Sequence, residues 1–338
     1  MGRVNHQMKL DASIGLSTNL KDVGALARAA ESAGIDAIWT SETQHDPFLP
    51  LTLVAASTSR LHFGTAVAIA FARSPLVVAH TAWDLAKQSQ GRFILGLGTQ
   101  VKAHIERRFG MAWTPPVPRL REYVQAIRAI WNAWQTGARL NFRGEAYKLT
   151  LMSPFFSPGP IEHPDIPIFI AGVGAPLCKL AGEVADGFHV HPYHTRKYLS
   201  EVVLPALAAG AQKANRDRSA IEIGTMAFVA LNANEIEAQR AQVAFYASTP
   251  SYRPVLDLHG WGSIGEQLGA LAARGQWAEM PKLISDEMLE TFVIVGSWND
   301  IAAQLRAKYA GLLDRVGLYR PFAPGVEDAQ WKLLAEST

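Results

Sequence analysis

Eight short β-rich segments, each followed by helical sequence, alternate along the chain and restrict it to an α/β fold with a parallel sheet. The β-rich runs are 8–14, 35–41, 61–70, 92–98, 166–172, 187–191, 221–231 and 291–296. Helical patterning follows in 19–33, 75–90, 119–134, 175–185 and 298–312. In the first of these helices Val23, Leu26, Ala27 and Ala30 share one face, Asn19 is placed to cap and Gly34 to stop it. Pro75 suits a first helical position, where its missing N–H would be unpaired anyway. Eight such units are the count of a (β/α)8 TIM barrel. A doubly wound sheet is the rival, because alternation alone does not close a barrel. Residues 232–290 are too long for one connection and read as a helical insertion before the last strand. With no internal repeat or low-complexity linker, a single domain over 1–338 is expected.

Composition narrows the class. Of 338 residues, 49% are hydrophobic and 18% charged, enough apolar surface to offset the ordering entropy of a folded chain. Lys and Arg number 32 against 30 Asp and Glu, a net charge of +2, and there is no run of five basic residues. Neither nucleic acid nor an anionic membrane is therefore an expected partner. A lone Cys178 excludes a disulfide framework and a multi-cysteine zinc site, and fits a reducing cytoplasm. Residues 1–10 hold no apolar stretch of signal-peptide length. The most apolar segment, 64–72, ends at Arg73 and Pro75, too short to span a bilayer. A soluble cytoplasmic protein is expected.

In a barrel the chemistry gathers where strands end at their C-terminal side. Gly172, Val173, Gly174 and Ala175 lie between a strand and a helix, where backbone N–H groups and the helix dipole can receive a phosphate. The alternative is a tight turn that needs glycine for its conformation alone. Gly96-Leu97-Gly98 begins like a dinucleotide fingerprint, but Val101 stands where the third glycine belongs, and no P-loop motif is present. Glu42 and His45, past the second strand, are acid–base candidates, with a solvated loop the other reading of His45. His189 and His191, two apart on a strand, face one side and can pair on a metal, yet no Asp or Glu completes a ligand set. The other reading points one histidine inward for proton transfer and leaves the rest solvated or capped. Lys102, His104, Arg107 and Arg108 can grip a polyanionic tail or simply form a solvated helix face. Trp39, Phe71, Trp113 and Phe188 suit either a ring pocket or the core, and Cys178 suits the core.

Taken in order, several segments carry a resemblance: 25–34, GIDAIWTSE (34–42), LHFGTAVAIAFARSP (61–75), GRFILGLGTQ (91–100), RLREYVQAIRAIW (119–131), FRGEAYKL (142–149) and IPIFIAGVGAPLCKLAGEVADGF (166–188). Together they resemble the bacterial luciferase-like family, in its branch that uses the deazaflavin coenzyme F420. The resemblance implies a (β/α)8 barrel with an insertion before the last strand. It implies a cofactor ring leaning on a bulge after the third strand, with a non-proline cis peptide at Ala66–Val67. It also places the phosphate on Gly172, Val173, Gly174 and Ala175, and Thr99 and Gln100 along the cofactor's edge.

Two departures matter. Many deazaflavin enzymes of this family place a histidine directly after the acid that ends strand two. Here Glu42 is followed by Thr43, and His45 comes later. The sugar-phosphate dehydrogenase branch has a glutamate where this chain has Val101. Both argue against that dehydrogenase activity and leave His45 or His191 as the substitute proton donor. The expected function is hydride transfer between F420 and a small organic substrate. Alternatives are an FMN-dependent monooxygenase fed by a separate reductase, a catalytically silent flavin- or deazaflavin-binding protein, and a metal-dependent barrel hydrolase built on His189 and His191. By resemblance the protein is expected to be a homodimer.

Overall fold

The computed structural model describes residues 8–338, so the expectation about the amino-terminal leader falls largely outside it. Eight parallel strands close the barrel: β1 (Lys9–Ser13), β2 (Ala37–Thr40), β3 (His62–Thr65), β4 (Phe93–Gly98), β5 (Ile168–Gly172), β6 (Gly187–Val190), β7 (Glu222–Ala227) and β8 (Arg315–Pro321), and a two-residue segment, Ala68–Ile69, follows β3 and pairs with β4 as a ninth strand of the same sheet. They pair in the order β3-β2-β1-β8-β7-β6-β5-β4, and Phe63 opposite Phe93 closes β3 onto β4. The ring is a closed (β/α)8 barrel, and the doubly wound alternative is excluded. Outside it lie α1 (Leu20–Ser32), α2 (Leu49–Ser57), α3 (Pro75–Ser89), α4 (Pro116–Thr136), α5 (Ala175–Val184), α6 (Leu204–Lys213), α7 (Ile301–Tyr309) and α8 (Asp328–Ser337).

The two-residue period of a strand sorts the side chains into two cores. Ala37, Trp39, Ile94 and Phe169 point into the barrel, where Ala66 and Met226 pack on them. Their neighbours Ile38, Phe93, Leu95, Ile168 and Ile170 face the helices. The inner core also holds an ion pair. Arg315 donates to both Asp11 oxygens at 2.7 and 2.8 Å, and Trp39 Nε1 donates to Asp11 at 2.9 Å. Glycine makes room for these bulky groups, for a Cβ on Gly224 would collide with the Arg315 side chain.

The structure departs from the sequence reading in identifiable places. The run 291–296 is not a barrel strand: only Ile294–Val295 is extended, and it pairs with Val229–Ala230 in a separate two-stranded sheet. The eighth barrel place belongs to β8, which brings Arg315 to Asp11. The run 61–70 breaks after Thr65, and the Ala66–Val67 peptide is cis, as the family resemblance implies. The helices α2, α6 and α8 are not expected from the sequence pattern. Asn19 occupies the cap position of α1 but makes no side-chain capping bond, whereas Gly34 stops the helix with a φ of 81°. Between β7 and α7 lie helices Ala233–Ala247, Arg253–Asp257, Gly262–Ala273 and Asp286–Phe292, the expected insertion. Among the described residues no helix is long and apolar enough to cross a membrane.

Candidate active site

At the C-terminal mouth of the barrel, the end of β2 stitches down the bulge that follows β3. The Thr40 carbonyl accepts from Ala66 N at 2.6 Å, and Glu42 N donates to the Val67 carbonyl at 3.2 Å. The Glu42 carboxylate accepts from Ile69 N at 2.7 Å and from Arg73 Nη1 at 2.8 and 2.6 Å. Arg73 also reaches Asp46 at 2.9 Å. Burial works against the charge on Arg73, but Glu42 and Asp46 outweigh it and hold its pKa above the ordinary value. Both carboxylate oxygens of Glu42 are thus occupied by structural partners, which fits an anchor better than a mobile acid.

Small side chains pave the neighbouring strand ends. Ala66 and Val67 are half-exposed, whereas the strand leading to them is buried apart from His62. Along β5, Ile168, Phe169 and Ile170 are buried but Ala171 and Gly172 open to solvent. On β4, Gly98 lies against the bulge, so that a Cβ there would press on Val67 Cγ2 at 2.6 Å. This floor continues into Val173, Gly174 and Ala175 at the start of α5. Neither Gly172 nor Gly174 has a positive φ, so the turn does not use glycine for its conformation. Gly172 is needed for space, because a Cβ would meet the Leu177 Cβ at 2.6 Å. Thr99 is buried at the end of β4, and Gln100 beside it takes a left-handed φ of 57°.

The histidines divide into separate environments. His189 points into the barrel, with its ring 4.7 Å from Trp39 and 5.1 Å from Phe169, and its buried Nε2 has no hydrogen-bond partner. His191 lies beyond the strand, its Nε2 3.2 Å from the Tyr252 hydroxyl and its ring packed on Tyr252 and Tyr246. Tyr246 in turn shares a hydrogen bond with Tyr319 at 2.9 Å. Burial lowers His189 to about 3 and His191 to about 4, so both rings are neutral near pH 7. The two rings sit in separate surroundings, and among the described residues no group of three or more His, Cys, Asp or Glu is placed to hold a metal ion.

His45 is exposed and makes no hydrogen bond or ion pair among the described residues. It lines a cavity of about 470 Å³ over the ends of β1 and β2, together with Ile14, Leu16, Ser41, Leu49 and Pro50. The basic stretch is a short helix, Lys102–Arg107, after β4; Arg108 crosses to the Thr43 carbonyl and ties this loop to the one after β2. Trp39, Phe71 and Phe188 are buried in the core, while Trp113 is half-buried with its edge against Phe71. Cys178 is buried, and burial raises its thiol to about 12. The mouth also contains residues that the sequence did not mark: Arg73, Tyr246, Tyr252 and Tyr319. Their hydrogen-bond partners lie 27 to 73 residues away, and no local pattern announces such pairings.

Comparison with known proteins agrees with this fold. The chain is 48% identical to an uncharacterized protein of Mycobacterium tuberculosis over 316 residues, which cover 92% of each. It is 28% identical to the 5,10-methylenetetrahydromethanopterin reductase of Methanolobus tindarius, covering 90% of this chain and 91% of the other. Its fold matches the coenzyme F420-dependent tetrahydromethanopterin reductase of Methanopyrus kandleri with a TM-score of 0.80, at 22% identity over 98% and 99% of the two chains. The family model for luciferase-like monooxygenase matches residues 3–315, and the chain belongs to that family.

Proposed function

We propose that the protein is an oxidoreductase that binds coenzyme F420 at the barrel mouth and acts on a small organic molecule. The observation that carries this reading is the floor of small residues on three adjacent strand ends, β3, β4 and β5, running into the start of α5. A flat ring fits such a floor, since Ala66, Gly98, Ala171 and Gly172 raise little above the backbone. A phosphate fits its far end, where Gly174 N and Ala175 N have no acceptor within the described chain. The F420 dependence named for the Methanopyrus kandleri structure, and the likeness to the Methanolobus tindarius reductase, favour a deazaflavin over FMN.

When bound, the deazaflavin supplies the two-electron chemistry at its central ring carbon. Glu42 and Arg73 hold the bulge against which the ring would rest. Thr99 and Gln100 border the same floor from β4. His45, free of internal partners and open to the 470 Å³ cavity, is the group we assign to carry a proton to or from the substrate. His191, neutral and bonded to Tyr252, lies just past the end of β6. The apolar lining of the cavity, from Ile14, Leu16 and Leu49, suits a substrate with a hydrophobic body.

The family model's description, luciferase-like monooxygenase, makes a monooxygenase the second reading, with FMN as the flavin it would use. Anaerobic titration of the purified protein with F420 and, separately, with FMN decides between them, read by quenching of its nine tryptophans and by calorimetry. Tighter binding of F420 supports hydride transfer and licenses a substrate screen by deazaflavin absorbance. Tighter binding of FMN turns the assignment to oxygen chemistry. Binding of neither overturns both.

A further inference from the structure

Behind the loop that starts α5, a single tyrosine reaches its backbone. Tyr198 is buried, and its hydroxyl donates to the Val173 carbonyl at 3.0 Å. In a trans peptide the C=O and N–H point in opposite directions. A Val173 carbonyl turned back onto Tyr198 therefore turns the Gly174 N–H outward, away from the packed side of the loop. That N–H is one of the two at this helix start with no acceptor in the described chain.

Tyr198 is itself held firmly. Its backbone N–H donates to Thr195 Oγ1 at 3.0 Å, and the same hydroxyl is 2.8 Å from Nε2 of His259, which belongs to the insertion. A π-helical turn, Leu199–Val203, follows at once and leads into α6, an irregularity that recurs at functional sites. Further along, α5 and α6 cross at glycine, where a Cβ on Gly182 would strike the Leu207 carbonyl and one on Gly210 the Lys179 carbonyl. The α5 helix is thus fixed against one neighbour at two heights, by backbone contact at its middle and by Tyr198 at its start.

We infer that Tyr198 is a positioning residue for the cofactor's phosphate: it aims the Gly174 and Ala175 N–H groups, and His259 ties that aim to the insertion. The inference rests on the cofactor placement proposed above. Burial raises the Tyr198 hydroxyl to about 12, so it stays a donor throughout the useful pH range.

The test compares a phosphorylated ligand with its counterpart that ends at the sugar alcohol. F420 is paired with its deazaflavin–ribityl fragment, and FMN with riboflavin, each titrated into wild type and Tyr198→Phe. The wild type is read first. If it binds neither phosphorylated ligand more tightly than its fragment, the cofactor placement fails and the Tyr198 role falls with it. If wild type prefers the phosphorylated form, Tyr198→Phe should cut that preference about tenfold, the loss of one hydrogen bond's worth of aim, and leave fragment affinity within about twofold. An unchanged preference overturns the inference. So does an equal loss for both members of a pair, which would mark Tyr198 as merely structural. Should Tyr198→Phe fail to fold, His259→Gln carries the same test, with a fall in preference of about threefold expected and no change overturning it.

Discussion

Arg73 Nη1 lies 2.8 and 2.6 Å from the two carboxylate oxygens of Glu42, which joins the end of β2 to the segment leading into α3. The same carboxylate takes the Ile69 N–H, and the Thr40 carbonyl and Glu42's own N–H hold the two flanks of the Ala66–Val67 peptide. Position and chemistry thus part company. An acid at the end of a barrel strand stands where catalytic groups stand, yet this one spends its lone pairs on the protein.

Replacing Glu42 with Gln should therefore lower stability before it touches chemistry. The Glu42 side chain is 6% exposed and that of Arg73 19%, so removing one charge strands a partly buried guanidinium that retains only Asp46. A loss of about 2–3 kcal/mol is expected in urea unfolding. A double-mutant cycle with Arg73→Met should return a coupling above about 1 kcal/mol. Wild-type stability with lost turnover would instead make Glu42 the acid–base group.

His45→Ala should do the reverse. With no internal partner to lose, its melting temperature should match wild type. Turnover of any substrate found in the deazaflavin screen should fall about 10²–10⁴-fold, with cofactor affinity unchanged. Equal turnover in wild type and variant would move the proton to the His191–Tyr252 pair.

The barrel was legible because strand–helix alternation is a local signal. The bulge was legible because its segment resembles a family's. The last strand was not. Segment 291–296 reads TFVIVG, rich in β-branched side chains, whereas β8 reads RVGLYRP and opens with an arginine. Arg315 is tolerated inside the barrel only because Asp11, 304 residues away, meets it, and no window of sequence contains both. His189 and His191 were misleading for a related reason. Alternation puts them on one side only while the strand lasts, and β6 ends at Val190. Tyr252 and Tyr246 come from the insertion, whose approach to the mouth has no local signature.

Acid should unfold the protein earlier than a chain with solvated histidines. Burial lowers His189, His191 and His194 from an ordinary 6.5 to about 3, 4 and 3. Their folded pKa values lie below the unfolded ones, so from pH 6.5 downward the unfolded chain takes up protons that the native state refuses. Stability is then complete above about pH 6.5 and falls toward pH 4, by up to about 1.4 kcal/mol per pH unit for each histidine. Urea midpoints measured between pH 7.5 and 5 check this. His194→Gln, which removes one of the three, should flatten the slope by about a third.

Three glycines separate crowding from conformation and from function. A Cβ on Gly96 would run into the Thr65 carbonyl oxygen and lie 3.1 Å from His189 Nε2. The Thr65 backbone cannot yield, because Thr65 Oγ1 already bonds the Gly96 carbonyl at 2.6 Å and its N–H at 3.0 Å. Gly96→Ala should cost about 3 kcal/mol or prevent folding. Gly137→Ala meets nothing within 4 Å but must adopt a φ of 72°, which should cost only about 1 kcal/mol. Gly174→Ala faces neither obstacle: its φ of −78° suits alanine, and the nearest atom, Pro176 Cδ, is 3.6 Å away. Its melting temperature should stay near wild type while affinity for a phosphorylated cofactor drops, since the new methyl stands beside the N–H groups assigned to the phosphate. If affinity survives as well as stability, the phosphate does not sit at the start of α5.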